Sequence, residues 1–482
     1  MKTTGDLIYV TVRAEEAIYQ TGYLVWNLSG NRIVAGRNSG KFHKERRRGK
    51  QCFKVNIMES LRKLSGHPTE DMPTSSPSDE LVCPFSCRFC REINMNEAAK
   101  AWVCMDQNER RRDMEEGRKT PLTGWHEANG GKMVEYAGWQ MPVQYEGLMA
   151  EHQAVRERAG MFDVSHMGEV LVEGSGALDY LQYLLTNDFT QMKDGQILYT
   201  MMCYPNGTVV DDLLVYRQGE NQYLLVINAG NVDKDIKWMY EKAAGFEVNL
   251  TDLSDKTGEL AIQGPLAEEI LQTLTETPLK EIKFFNFKEN VNIAGVACLV
   301  SRTGYTGEDG FEVYTAWDDL LPVWEAIMNA GKEKGIKPAG LGCRDTLRFE
   351  AGLPLYGHEI SDSITPLEAG LGYFVALKKQ DFIGRDTLVD QKENGIPRKL
   401  VGFELIERGI ARSDYEVMLD GKKIGFVTTG YLSPTLNKNV GQALVDRKAI
   451  EGQDHLQVQI RNKQVNAKIV PLPLYRKRTK SK

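Results

Sequence analysis

No apolar run in this chain of 482 residues approaches the roughly 20 residues that span a membrane, and no basic segment leads into an apolar core and cleavage site at the N-terminus. The cytoplasm is therefore the expected compartment. Cysteine is scarce in the body of the chain: of eight, Cys52, Cys83, Cys87, Cys90 and Cys104 lie early, and only Cys203, Cys298 and Cys343 follow. That excludes a disulfide framework for the main body. Positive charge is scarce there too. Residues 1–118 carry 20 Lys plus Arg against 16 Asp plus Glu, about +4, so the remainder carries about −10 of the total −6. An acidic body excludes a nucleic-acid binder. No dinucleotide-binding glycine fingerprint occurs, and no internal repeat is visible.

What is present is a globular composition, 41% hydrophobic and 26% charged, in a chain long enough for two to four domains. The stretch Arg302 to Gly310, RTGYTGEDG, runs directly into Phe311-Glu312-Val313. Its three glycines allow a sharp turn, which would present Tyr305, Glu308, Asp309 and Glu312 around one concavity. Periodicity predicts helices at 148–159, 177–185, 266–274, 321–332 and 341–351. It predicts strands at 169–173, 208–216 and 222–228, giving an α+β body. From about Lys399 short strands separated by Gly, Pro and Asn predict a small barrel or sandwich as a separate domain.

Asp211 and Asp212 are adjacent in a strongly β-like segment, NGTVVDDLLVY. Successive strand side chains point to opposite faces, so only one of the two can enter a given pocket. Periodicity does not choose between them, because valines and leucines flank both sets. Arg344 and Arg348 stand four apart in a helix and share a face, while Cys343, Leu347 and Ala351 form an apolar one.

With RTGYTGEDG, four segments stand in order: GGKMVEYAGWQMPVQY (130–145), FDVSHMGEV (162–170), NGTVVDDLLVY (206–216) and GLGCRDTLRFEAGLPLYG (340–357). Together they resemble the aminomethyltransferases of the glycine cleavage system, the T proteins, from about Thr120 to about Arg476. The resemblance implies a three-lobed folate-binding fold, with a two-lobed body at 114–377 and a C-terminal β-barrel domain at 378–482. It implies transfer of a one-carbon unit from the aminomethylated lipoyl arm of the H protein to tetrahydrofolate. The products would be 5,10-methylenetetrahydrofolate, ammonia and the dihydrolipoyl H protein, with no metal required.

The resemblance selects Asp212 as the catalytic carboxylate, near the folate N10 atom, where it would orient the nucleophile and stabilise developing positive charge. It assigns Glu312 to the pterin, whose N–H groups suit a paired oxygen acceptor. Arg344 matches a ligand-contacting arginine that either pairs with a folate carboxylate or braces pocket acids. Met167 and Tyr199 match positions lining the folate cavity, and Tyr475 matches a C-terminal tyrosine at the ligand. His166 is read as a structural partner, not a base. Lys378, Lys379 and Arg385 form a basic cluster that could receive an acidic H protein. Two other readings are folate-linked demethylation of sarcosine or dimethylglycine and a non-enzymatic folate-binding factor for iron–sulfur assembly. The first usually brings a flavin domain and the second a KGCYxGQE-type motif, and neither is found.

The resemblance stops before Met114. Cys83, Cys87 and Cys90 have the spacing by which radical S-adenosylmethionine enzymes hold a cluster, but no barrel of repeated strand and helix units follows. The Pro/Ser/Thr/Asp stretch 67–80 reads as linker. Arg110-Arg111-Arg112 could be encoded by the purine-rich codons of a ribosome-binding site, just ahead of a T-protein-like start at Met114. Residues 1–113 are therefore expected to be largely a translated leader or disordered extension. N-terminal sequencing of protein made from the native gene checks this: a start near Met114 is expected, and a start at Met1 sinks the idea.

Overall fold

The computed structural model describes residues 117–476 and, ahead of them, six short strands between Ile8 and Val55. The chain divides into two units, 1–116 and 117–482. In the first, Ile8–Thr11, Lys50–Val55 and Glu45–Arg47 form one three-stranded sheet, and Tyr19–Gln20, Tyr23–Leu28 and Asn31–Ala35 form another. None exceeds six residues, too short for a hydrophobic period to stand out in sequence. The Cys83, Cys87 and Cys90 spacing and most of the expected leader lie outside the described residues.

The second unit contains one module built twice. In the first copy the strand Gly168–Glu173 leads into the helix Ala177–Leu184, then the strands Ile197–Cys203, Val209–Gly219 and Gln222–Ile227, the helix Val232–Lys242 and the strand Asn249–Asp252. In the second copy Thr257–Gln263 leads into Ala267–Gln272, then Phe287–Ile293, Val296–Ser301 and Gly310–Ala316, the helix Leu320–Gly331 and the strand Lys337–Pro338. Counted within each copy, the strand order is the same, second-third-fourth-first-fifth. The second sheet gains Gly160–Asp163 between its last two strands. This repeat escaped the sequence reading, although Asp163-Val164-Ser165 before Gly168-Glu169 echoes Asp252-Leu253-Ser254 before Gly258-Glu259.

The two copies join reciprocally at that echo. The Glu169 N–H donates to Ser254 Oγ and the Glu259 N–H to Ser165 Oγ, both at 3.1 Å. The Leu253 N–H donates to the Glu169 carbonyl at 2.8 Å and the Val164 N–H to the Glu259 carbonyl at 3.0 Å.

Helical spacing explains how each sheet is covered. Leu320, Val323, Trp324 and Ile327 recur at i, i+3, i+4 and i+7 and bury one stripe against the six-stranded sheet; Ala177, Tyr180, Leu181 and Leu184 do the same for the five-stranded one. The opposite faces of the two sheets meet each other through Ile197, Tyr216, Leu224, Val226, Phe287 and Tyr314. Each such side chain contributes about 1.5–3 kcal/mol when removed from water.

The third lobe is a closed, wholly antiparallel barrel of six strands spanning Arg398–Leu405 to Lys463–Val470. It starts at Arg398, after the helix Arg385–Asn394, and its core gathers Val401, Phe403, Val417, Val427, Ala443 and Val458.

Helix Leu341–Glu350 is the piece of the body that the barrel holds. Glu350, buried at its end, accepts hydrogen bonds from Ser433 and Thr435 of the barrel and pairs with Arg156 at 2.9 Å and His152 at 3.2 Å. Burial pushes its carboxyl up, but His152, Ser433 and Thr435 outweigh that and hold it down at about 2. A depressed carboxyl stabilises the fold fully above its ordinary 4.5 and loses that contribution as pH falls toward 2. Glu350→Gln is expected to cost about 3 kcal/mol at pH 7 and to flatten the loss of stability between pH 4.5 and 2, checked by urea unfolding across that range.

Candidate active site

Strand alternation decides which aspartate faces inward. On Val209–Gly219, Leu213 and Val215 pack under the helices of the first module, whereas Leu214 and Tyr216 face the second sheet; Val210 also packs on the helix side because the strand bulges there, ahead of Asp211. Asp212 shares the parity of Leu214 and Tyr216, so it faces the inter-sheet space. The register supplies its partners. Leu213 lies opposite Ile227, which puts Asn228 beside Asp212, and Tyr199 lies opposite Leu214 on the other side. Tyr199 donates its hydroxyl to Asp212 Oδ2 at 2.8 Å, and the Asn228 amide donates to Asp212 Oδ1 at 2.9 Å.

Asp211 is bound from the opposite side by the backbone N–H of Asn228 and by the Asn231 amide at 2.8 Å, and it is wholly buried. The Asn228 amide reaches both carboxylates, at 3.0 and 2.9 Å, so the pair is electrostatically close even though its members leave opposite faces. Burial first, and then the Asp211 charge, pushes Asp212 up to about 7. Asp211 has its acceptor sites filled; Asp212 is 9% exposed and keeps lone pairs for a substrate.

The facing sheet brings Glu312. It shares a face with Tyr314, while Phe311 and Val313 enter the core beneath. Thr303 donates to Glu312 Oε2, and burial pushes the Glu312 carboxyl up against the opposing influence of Thr303 and Arg344. Arg344 is half-buried, and its guanidinium makes no hydrogen bond or ion pair among the described residues; it lies 4.7 Å over the Tyr305 ring. Arg348, one turn on, is the opposite case: fully buried, it bonds Asp345 at 2.8 Å, Glu359 at 2.6 Å and Thr429 of the barrel at 3.3 Å. The shared helix face therefore holds one clamped arginine and one available to a ligand.

The RTGYTGEDG loop divides its side chains. Tyr305 and Glu312 join the site. Glu308 pairs instead with Arg156 at 3.0 Å, and Asp309 takes two bonds from Arg302. The expectation that all four ring one concavity is thus half met, because Arg156 and Arg302 draw the other two carboxylates away. Gly304 is required by space: a Cβ there would lie 1.9 Å from Gln263, whose side chain ties down Thr303 and Thr306.

A model of the GCVT N-terminal domain matches residues 122–379, and one of the glycine cleavage T-protein C-terminal barrel domain matches residues 398–476. The chain belongs to the glycine cleavage T-protein family. It is 58% identical over 363 residues to an aminomethyltransferase of Caldanaerobacter subterraneus subsp. tengcongensis, covering 75% of this chain and 97% of that protein. It is 55% identical over 368 residues to one of Alkaliphilus metalliredigens, covering 76% of this chain and all of that one. The crystal structure of glycine cleavage system aminomethyltransferase T from Bartonella henselae is similar with a TM-score of 0.69 at 31% identity, over 74% of this chain and 98% of that one. The α+β T-protein fold with its C-terminal barrel and the aminomethyltransferase activity follow. No described helix is long and apolar enough to cross a membrane.

Within this T-protein frame, Met167 is half-buried between two apolar clusters, and the Tyr199 ring meets Phe374 edge-on at 4.8 Å. Tyr475 lies with a different set: its hydroxyl donates to Glu308 at 2.8 Å and Arg156 covers its ring at 4.0 Å. No described contact joins it to Asp212, Glu312 or Arg344. His166 is buried beside Tyr136, and burial, then the Arg344 charge, pushes it down to about 4, which leaves a weak base. The basic cluster largely dissolves. Lys379 donates to the carbonyls of Leu185 and Asn187 and is pushed down to about 7 by burial, and Arg385 bonds the Leu377 carbonyl at 3.0 Å; Lys378 alone of the three is exposed.

The two arginines give a direct check. Arg348→Met is expected to cost about 3–5 kcal/mol, because it strands buried Glu359. Arg344→Met should cost no more than about 1 kcal/mol, since it loses the stacking on Tyr305 but no hydrogen bond or ion pair. Thermal unfolding of both variants tests the contrast.

Proposed function

We propose that this aminomethyltransferase takes tetrahydrofolate as its one-carbon acceptor and the aminomethylated lipoyl arm of an H protein as its donor, with Asp212 as the catalytic carboxylate. The observation that carries the reading is the pairing of unlike walls. A partly open carboxylate on one sheet faces a second carboxylate and an uncommitted guanidinium across the inter-sheet space.

Each group suits one part of that chemistry. Two folate nitrogens would each form one bond to the methylene carbon as its carbon–amine and carbon–sulfur bonds break in turn. Of the two N–H protons released, one leaves with ammonia and one ends on the dihydrolipoyl sulfur, and Asp212 would accept and pass on the proton of the nitrogen beside it. Its negative charge, in a site poor in water, would stabilise the iminium-like carbon between those steps. Tyr199 and Asn228 fix its two oxygens, so little reorganisation accompanies the reaction. Glu312 supplies the paired acceptor for pterin N–H groups, and Met167 offers a polarizable surface to a flat ring. Arg344, stacked on Tyr305 and otherwise unpaired, supplies the cation for an anionic or electron-rich ligand group.

The sign of the pH dependence follows from Asp212. Only the ionised form accepts the proton, and its raised pKa of about 7 makes that form the minority below neutrality. Methylenetetrahydrofolate formation and ammonia release by the full chain are therefore expected to show kcat/KM for tetrahydrofolate falling about tenfold per pH unit below 7. Asp212→Asn should lose at least about a hundredfold in turnover, together with that acid limb, while still binding folate. Unchanged turnover in Asp212→Asn would falsify its role. Folate binding with no turnover in the unaltered protein would favour a non-enzymatic folate-binding factor.

A further inference from the structure

Arg156, near the end of the helix Leu148–Glu157, has every donor occupied. A guanidinium carries five N–H groups in a rigid planar fork, and here each finds its own acceptor. Nη1 bonds the Thr306 carbonyl at 2.7 Å and Glu308 at 3.0 Å, Nη2 bonds the Leu347 carbonyl at 3.4 Å and Glu350 at 2.9 Å, and Nε bonds Thr435 of the barrel at 3.2 Å. The Tyr475 ring covers the guanidinium at 4.0 Å and its hydroxyl donates to the same Glu308 oxygen. The Arg156 side chain is 8% exposed, Glu308 2% and Glu350 0%, so the cluster is shielded from water.

The two amino groups serve different elements. Nη1 holds the loop Arg302 to Gly310, and Nη2 holds the helix Leu341–Glu350. The loop carries Tyr305 beside Thr306, and Gln263 ties Thr306 to Thr303, which donates to Glu312. The helix carries Arg344 one turn ahead of Leu347. Loop and helix meet again where Arg344 lies over Tyr305, and at Gly307, whose φ of 78° lets the chain pass so close to the helix end that a Cβ would lie 2.7 Å from the Ala351 side chain. A lysine could not stand in for the fork, because its ammonium is a single point of charge whereas two amino groups in one plane fix a spacing.

We infer that Arg156 is a positioning residue for the acceptor ligand: with one amino group on the loop and one on the helix, it fixes the spacing of Glu312 and Tyr305 from Arg344 before the ligand arrives. This rests on the reading that Glu312 and Arg344 meet tetrahydrofolate. Glu312 stands on the strand that follows the loop and Arg344 on the helix, so neither element sets their spacing alone. A site already held in its bound geometry loses less of its binding energy to ordering. Asp212 stands apart from this clamp. Its partners Tyr199 and Asn228 belong to the first module, and no hydrogen bond among the described residues joins them to Arg156. Affinity for the ligand and the chemical step therefore depend on separate parts of the structure.

Tetrahydrofolate binding and steady-state turnover of the full chain test the clamp, with Arg156→Lys keeping the charge and losing the fork. That variant is expected to bind tetrahydrofolate at least about tenfold more weakly, while kcat at saturating tetrahydrofolate stays within about threefold. Gly307→Ala wedges the loop from the helix with Arg156 in place, and should move both quantities in the same way. Val458→Ala opens a cavity in the barrel core, away from the clamp, and should lower the melting temperature with the affinity unchanged. A double-mutant cycle gives a further readout: in an Arg344→Met background, Arg156→Lys should weaken binding by no more than about threefold, because the contact it positions is already gone. Unchanged affinity in Arg156→Lys, effects that simply multiply in the cycle, or an equal loss of affinity in Val458→Ala overturns the positioning role. Unchanged affinity in Arg344→Met alone overturns instead the ligand contact on which that role rests.

Discussion

The contact of the Tyr216 and Tyr314 hydroxyls, 2.8 Å apart where two sheets meet face to face, fixes the geometry on which the site depends. A sheet offers alternate residues to each face, so once Tyr216 is turned toward its counterpart, Asp212 and Leu214 must follow on one strand and Glu312 on the other. A slip of one residue in either strand would send the carboxylate under a helix and bring Asp211 or Leu213 in place of Asp212, or Phe311 or Val313 in place of Glu312. The apolar collar of Ile197, Leu224, Val226 and Phe287 protects that register by making a slip costly.

The barrel acts at one remove. Its Thr429, Ser433 and Thr435 take hold of Arg348, Glu359 and Glu350, which fixes the rotation of the helix Leu341–Glu350. Arg344 is one turn from Arg348, so its direction is set by contacts it does not make. Clamping one arginine with Asp345, Glu359, Thr429 and the Leu353 carbonyl leaves the other, one turn away, without a hydrogen bond among the described residues.

Much of this was legible in the residues. Helices such as 148–157, 177–184 and 341–350 lay within two residues of their periodicity, because their buried stripes are regular. The barrel was legible from short strands broken by Gly and Asn. The choice between Asp211 and Asp212 was not, since a strand buried on both sides carries valine and leucine at every position and loses its alternation. The doubled module was missed because its two copies share topology and a brief Asp-x-Ser and Gly-Glu echo but little else. Asn228 could have been found by counting back from the hairpin turn at 220–221 once that register was assumed. Ser301, Tyr216 and Tyr314 carry no motif; only the meeting of distant strands brings their hydroxyls together. The fate of Glu308 and of Lys379 depended on Arg156 and on the carbonyls near 185–187, long-range partners that local pattern does not reveal.

The doubling has a consequence for direction. Matching the copies through their strand registers sets Glu312 against Leu224 and Asp212 against Ala297. Two identical walls would offer a long ligand the same welcome whichever end entered first. Each copy instead carries one acid where the other has an apolar residue, so the two walls differ. On the proposed reading, a molecule with a flat polar ring at one end and a reactive nitrogen further along would lie between these walls only one way round, with a single atom brought to the carboxylate on the opposite wall.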